Sequence, residues 1–190
     1  MIMKKGNEIY MNYIKVNYTG DSKAILVLYK GKQEILKTEA FVGKNGVTSR
    51  HIEGDGKTPL GIYELGIIFG THSMEEIQIE NYVQINDNLY WVDDIDSKYY
   101  NKLINIGDVK KDWISAEHLI DYPKQYEYAI EIKVNPQDVK GRGSAVFLHC
   151  SVNKPTQGCI AVDKEVIKKI FNFVKSEGKE NLNIHISKGM

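Results

Sequence analysis

The chain has 190 residues, 42% of them hydrophobic, which suffices for one domain with a real core. A charged fraction of 26% excludes a disordered chain, and 25 Lys plus Arg against 25 Asp plus Glu leaves no net field to attract nucleic acid or acidic membrane. No apolar run reaches the ~18 residues of a transmembrane helix, and two cysteines cannot make a disulfide framework.

The N-terminal "MIMKKGNEIYMNYI" carries a basic pair without the ~7–15 apolar residues of a secretory signal, and residues 1–12 are expected to be a loose segment. "YIKVNYTG" and "AILVLYKGKQEILKTEAFVG" alternate or run apolar and predict strands, with a hairpin turn at Gly31. "NGVTSRHIEGDGKTPLG" is loop-like and lacks phosphate-loop spacing, so it reads as a structural turn feeding the strand "IYELGIIFG". "YVQINDNLYWVDD" predicts a second hairpin turning at residues 86–88, and "SAEHLIDYP" one or two helical turns ended by Pro123. "YEYAIEIKVN" and "SAVFLHC" are the clearest late strands. In "DKEVIKKIFNFVKSEG", Asp163 can cap a helix whose Val166, Ile167, Ile170, Phe171 and Val174 share one face, with Gly178 ending it. "NLNIHISK" closes the chain as an alternating strand. With no repeat or linker, the expected fold class is mainly β with a few helices, in a single domain spanning 1–190.

The chemistry concentrates in "FLHCSVNKPTQGCIAV" (147–162), which holds both cysteines. A thiol becomes a useful nucleophile when its thiolate is favoured by an imidazolium or a helix N-terminus. Gly158 lets the backbone turn sharply before Cys159, a helix is expected from Asp163, and His149 ends a rigid strand. The intervening nine-residue loop can fold back, placing sulfur and imidazole on the order of ~3–4 Å apart. Alternation points Cys150 away from His149, making it a buried, inert thiol and weakening a shared metal ion. Zinc also wants a fourth ligand that the spacing does not offer. A catalytic pair, a metal site and ordinary structural residues all remain open on composition and spacing.

"PTQGCIAVD" (155–163) is similar to the signature of the L,D-transpeptidase (YkuD) family: a histidine, a variable loop, Ser or Thr, any residue, Gly, Cys and an apolar residue. These are His149, Thr156, Gln157, Gly158, Cys159 and Ile160. "EGDGKTPLGIYELGIIFG" (53–70), "WVDDIDSKYYN" (91–101), "SAEHL" (115–119) and "GRGSAVFLHC" (141–150) resemble segments of one branch of the family in the same order. The resemblance implies a β-sandwich-like catalytic domain that needs no metal or organic cofactor. It implies peptidoglycan stem peptides as partners: a stem tetrapeptide is cut after meso-diaminopimelate, and the acyl group passes to an amine to form a 3→3 cross-link. Some members give it to water instead, as L,D-carboxypeptidases, and a catalytically silent wall-binding domain is a further alternative. Cys159 would be the nucleophile and His149 the base. The N–H groups of Gly158 and Cys159 would sit near the oxyanion, and Thr156 would shape the loop. Two residues after the cysteine stands Ala161, where many members carry Arg or Asn. The implied location is extracytoplasmic, in the wall or secreted. With no signal visible in these residues, a truncated chain or an unconventional route, such as release as an antibacterial effector, is expected.

Beyond this pair, Trp91, Asp93 and Tyr100 are expected to help line a substrate groove, and Arg142 to meet a substrate carboxylate. Asp93 and Asp94 are adjacent and point oppositely on a strand, so they are not a paired acid and base. His51, His72 and His185 read as isolated, and Glu117 and His118 are given no role.

Overall fold

The computed structural model describes residues 3–5 and 8–189, with side chains from residue 11 onward. The segment expected to be loose falls partly outside the described residues; Met3–Lys5 pairs antiparallel with Glu8–Tyr10. The main strands are β1 (Asn12–Gly20), β2 (Lys23–Lys30), β3 (Gln33–Phe41), β4 (Gly61–Gly70), β5 (Leu89–Val92), β6 (Ala116–His118), β7 (Tyr128–Ile132), β8 (Phe147–Cys150) and β9 (Ile160–Val162). Helix α1 (Lys164–Glu177) and strand β10 (Leu182–Lys188) complete them, and Met74–Ile77 forms one short helical turn.

The order of the large sheet is β7-β8-β9-β3-β2-β1-β10-β4, with Val83–Gln84 beyond β4. Because β7 also pairs antiparallel with β4, the sheet closes on itself. The closure joins the two walls of the sandwich and leaves few free edges. The fold is mainly β with two helices among the described residues.

Alternation on β1 and β2 sends Ile14, Val16, Leu26 and Leu28 inward, where they meet Ile130, Leu148, Ile160 and α1. Helix α1 follows its sequence pattern. Asp163 accepts the Glu165 N–H at 2.8 Å, and Ile167, Ile170, Phe171 and Val174 are buried. Each buried side chain stabilises by about 1.5–3 kcal/mol, and the cap by about 1 kcal/mol. Gly178 follows the last turn. None of the helices among the described residues is long and apolar enough to cross a membrane.

Two local expectations are corrected. The turn at Asn86 forms, with Leu89 N–H donating to Asn86 O at 3.2 Å, but its arms join different sheets. Val83–Gln84 pairs with β4, whereas β5 joins a three-stranded sheet with Leu103–Asn105 and β6. The segment at 115–121 is half strand. Ala116–His118 pairs with β5, and only Leu119–Asp121 makes a helical turn. Pairing with the buried strand β5 outweighs a weak local helix preference there.

A second cluster, comprising Phe69, Trp91, Leu119, Tyr126, Phe147 and Cys159 with their neighbours, lies between the small sheet and the large one. Phe147 is ringed edge-on by Phe69 (5.1 Å), Trp91 (4.8 Å) and Tyr126 (5.6 Å). This aromatic floor supports the site.

Candidate active site

Strands β8 and β9 run parallel, with Leu148 opposite Ile160 and His149 opposite Ala161. Cys159 precedes that ladder, so it lies beside Phe147, on the His149 face and two positions back. Diagonal neighbours of this kind lie about 7–8 Å apart at Cα, within reach of an imidazole. Ala161, directly opposite His149, lines the same small cavity as His149 and Cys159. Alternation sends Leu148 and Cys150 into the main core instead. Cys150 is buried, its thiol pushed up to about 11 by burial, and its Sγ donates to the Tyr128 carbonyl at 3.8 Å.

The turn before Cys159 is fixed by two threonines. Thr156 Oγ1 donates to Cys159 O at 2.6 Å and accepts the Gly158 N–H at 3.1 Å. Thr58, wholly buried, donates to Gly158 O at 2.8 Å, with Cys159 O also in reach at 3.2 Å. It also accepts the Gly43 N–H at 2.9 Å. Gly158 has φ +150°, and a Cβ there would lie 3.2 Å from the Lys57 carbonyl. As sequence, "GKTPLG" is a plain turn, and nothing in it marks Thr58, whose partner lies 100 residues away. Thr58→Val is expected to lower stability by about 1–3 kcal/mol by orphaning buried groups. It should also slow modification of Cys159 by a substrate, read together by thermal melts and adduct formation.

Cys159 is 8% exposed. Its Sγ accepts the Phe147 N–H at 3.3 Å and donates to Ala145 O at 3.3 Å. Ala145 holds φ +51°, an uncommon conformation for a residue with a side chain, and its carbonyl meets the thiol. His149 Nδ1–H donates to Cys150 O at 2.9 Å, which leaves the Nε2 lone pair free. The described residues place no hydrogen bond between Sγ and His149. Both nevertheless line one cavity of about 200 Å³.

Burial first, then the Glu117 carboxyl, push the Cys159 thiol well above its ordinary range, only partly offset by the Phe147 N–H. Burial also pulls His149 down to about 4. At neutral pH the pair is therefore thiol and neutral imidazole, which corrects the expectation of a favoured thiolate. Desolvation, the first cause of both shifts, disfavours each charged form. Cys159 in the free protein should accordingly react with iodoacetamide at pH 7.5 at least about tenfold more slowly than free cysteine, its rate still rising above pH 9. A rate already level below pH 7 would contradict this.

A second cavity, of about 380 Å³, also opens on Cys159 and is shared by Glu117, Tyr122 and Gln157. Asp93 is on its wall, with Oδ1 buried and unpartnered. Asp94 turns elsewhere and accepts the N–H groups of Asp96 (2.9 Å) and Ile114 (2.8 Å). Trp91 and Tyr100 are not on the wall. Trp91 is buried in the aromatic floor, with Nε1–H donating to Asn101 at 3.2 Å. Tyr100 is buried with its hydroxyl on Glu53 Oε2 at 2.5 Å, and Ser144 donates to the same oxygen at 2.7 Å. Arg142 lies apart from Cys159, in a separate groove of about 700 Å³.

Two residues without a role in the sequence patterns do reach the site. His51 lines both the groove and the 380 Å³ cavity, its Nδ1 3.2 Å from Asp55 Oδ1. Gly143 makes room for it, since a Cβ there would fall 2.2 Å from His51 Cδ2. Glu117 faces Cys159 from β6 and lines both cavities; it accepts a hydrogen bond from Tyr126 Oη. Burial raises its carboxyl to about 7, against the pull of the Tyr126 hydroxyl and with help from Asp93 and Glu53. Neither residue belongs to a local motif with a stated mechanism; each arrives by tertiary pairing.

Two solved structures of the helical cell shape determining protein Pgp2 from Campylobacter jejuni, one of them a point variant, resemble this fold. Their TM-scores are 0.52 and 0.50 at 16% and 17% identity, covering 95% of this chain and 48% of each Pgp2 chain. The chain thus spans about half the length of these relatives. L,D-transpeptidase 1 of Mycobacterium tuberculosis aligns over 93% of this chain and 62% of its own, at 13% identity and a TM-score of 0.38. No curated protein matches the chain. The family model of the YkuD L,D-transpeptidase catalytic domain matches residues 11–183, and the chain belongs to that family.

Proposed function

We propose that this chain is a peptidoglycan L,D-transpeptidase working by a cysteine thioester. The observation that supports it most is the placement of Cys159 and His149 on one face of adjacent parallel strands, walling one cavity. His149 Nε2 takes the thiol proton as Sγ attacks the carbonyl after meso-diaminopimelate in a stem tetrapeptide. The proton then passes to the departing D-residue, and an amine from a second stem resolves the thioester. The Gly158 N–H is already donated to Thr156, so the N–H of Cys159 is assigned to the developing oxyanion. A neutral thiol and imidazole suit this order, because the proton can pass to His149 as Sγ attacks, with the developing charge held by the oxyanion donor. The single-domain organisation over 1–190 and an extracytoplasmic place of action belong to the same proposal.

Intact-protein mass spectrometry after incubation with a stem tetrapeptide tests it. The expected result is an acyl adduct on Cys159 and a cross-linked product. Product bearing water in place of the amine would favour the L,D-carboxypeptidase reading. Binding of stem peptide without adduct or product would favour a wall-binding domain.

A further inference from the structure

Two cavities meet at Cys159, and their walls differ in charge. The 200 Å³ cavity carries His149 and Lys154, and the 380 Å³ cavity carries Glu53 and Asp93. None of the described residues lining the larger cavity is a lysine or arginine. Glu53 already accepts from two hydroxyls, but Asp93 Oδ1 is buried without a partner. Glu117 stands where the cavities join.

This asymmetry matches a need that the histidine leaves unmet. An acceptor amine has a pKa near ~10 and arrives as an ammonium, without the lone pair that must attack the thioester. A cation is drawn to the carboxylate-lined cavity, and a donor's terminal carboxylate to the Lys154 side. His149 lines only the smaller cavity, so a second base is required where the ammonium enters.

We propose that Glu117 is that base: it takes the first proton from the incoming ammonium in the larger cavity, beside the Cys159 thioester. The inference rests on the transpeptidase reading above. One Glu117 oxygen is held by Tyr126 Oη, and the Tyr126 ring is in turn braced edge-on at 5.6 Å by both Phe147 and His149. That fixes the carboxyl while leaving its second oxygen for the substrate. Its affinity for protons, near neutral, is that of an effective base at neutral pH.

The ammonium gives one proton to a Glu117 carboxylate oxygen and becomes a neutral amine. Its lone pair forms the new C–N bond at the thioester carbon. His149 Nε2 takes the second nitrogen proton and returns it to sulfur as the C–S bond breaks with its electron pair on Sγ. Glu117 then releases its proton to solvent, and one amide has replaced another.

The titratable groups near Glu117 are Glu53 and Asp93 on the cavity wall, Tyr122 and Tyr126 beside it, and Cys159 below. His149 and Lys154 line the smaller cavity with it, and His51 lines the larger one.

The test uses a stem tetrapeptide as donor and a stem tripeptide, with its free diaminopimelate amine, as acceptor. The Cys159 adduct and the ratio of cross-linked to hydrolysed product are followed from pH 6 to pH 10 by mass spectrometry. Glu117→Gln should still form the adduct, with the ratio at pH 7 lowered at least about tenfold. That ratio should recover towards wild type near pH 10, where the amine loses its proton in water. Tyr126→Phe removes the hydrogen bond that favours the carboxylate, so it should move the midpoint of the ratio's pH dependence upward, and it decides the matter if the glutamine variant fails to fold. A ratio unchanged in Glu117→Gln, or lowered equally at every pH, would overturn the inference alone. So would a wild-type adduct that only water resolves. Absence of any adduct in wild type would overturn the transpeptidase reading together with it.

Discussion

Cys159→Ala is expected to abolish the acyl adduct and to cut turnover by roughly ten-thousand-fold or more, because Cys159 is the only thiol among the described residues lining the two cavities. The fold should survive. Alanine fits the space of a small buried thiol, and the change removes only two weak hydrogen bonds, from the Phe147 N–H to sulfur and from the thiol to Ala145 O. Cys150→Ala supplies the contrast. Its sulfur lies on the opposite face of β8, and its backbone carbonyl, which holds His149 Nδ1–H, is untouched by the change. That variant should keep the adduct and lose on the order of 1 kcal/mol of stability. Intact mass, product formation and thermal melts on both variants separate the outcomes; an adduct persisting in Cys159→Ala would displace the whole assignment.

Substitution of His149 should have the second largest effect. His149→Gln keeps a polar side chain but no proton-accepting nitrogen, and acylation is expected to slow about 100- to 10,000-fold. In wild type the acylation rate should stay level from about pH 5 to pH 9, since the imidazole titrates only near 4 and the thiol holds its proton well into the alkaline range.

Stability responds to the same burial. Between 6.5 and 4 the unfolded chain binds a proton on this imidazole that the folded chain refuses. Stability is therefore lost as pH falls through that window, by about 3 kcal/mol in all. Glu117 has the opposite slope: its folded carboxyl holds a proton longer than the unfolded one, so its contribution falls as pH rises from 4.5 through about 7. Urea melts of wild type and His149→Gln at pH 4.5 and pH 7 isolate the histidine. The variant should lose less stability on acidification, and equal losses would show that His149 is not the group responsible.

What could be read from the linear chain was whatever repeats with the period of a local element or sits within one short segment. The helix from Asp163 to Gly178 is set by its cap, its apolar stripe and its glycine stop, all within sixteen residues. The strands of the large sheet follow from alternation, and His149, Thr156, Gly158 and Cys159 fall within eleven residues that fold as one strand–turn–strand unit. Tertiary structure alone decided the rest. Whether "SAEHL" became helix or strand depended on pairing with β5, which no local preference encodes. Thr58, His51 and Glu117 reach Cys159 only because distant strands and loops converge on the β8–β9 end. Above all, the charge state of Cys159 is governed by burial. Residue types in the sequence suggested a stabilised thiolate, but desolvation, a property of packing, pushes the Cys159 thiol well above its ordinary range.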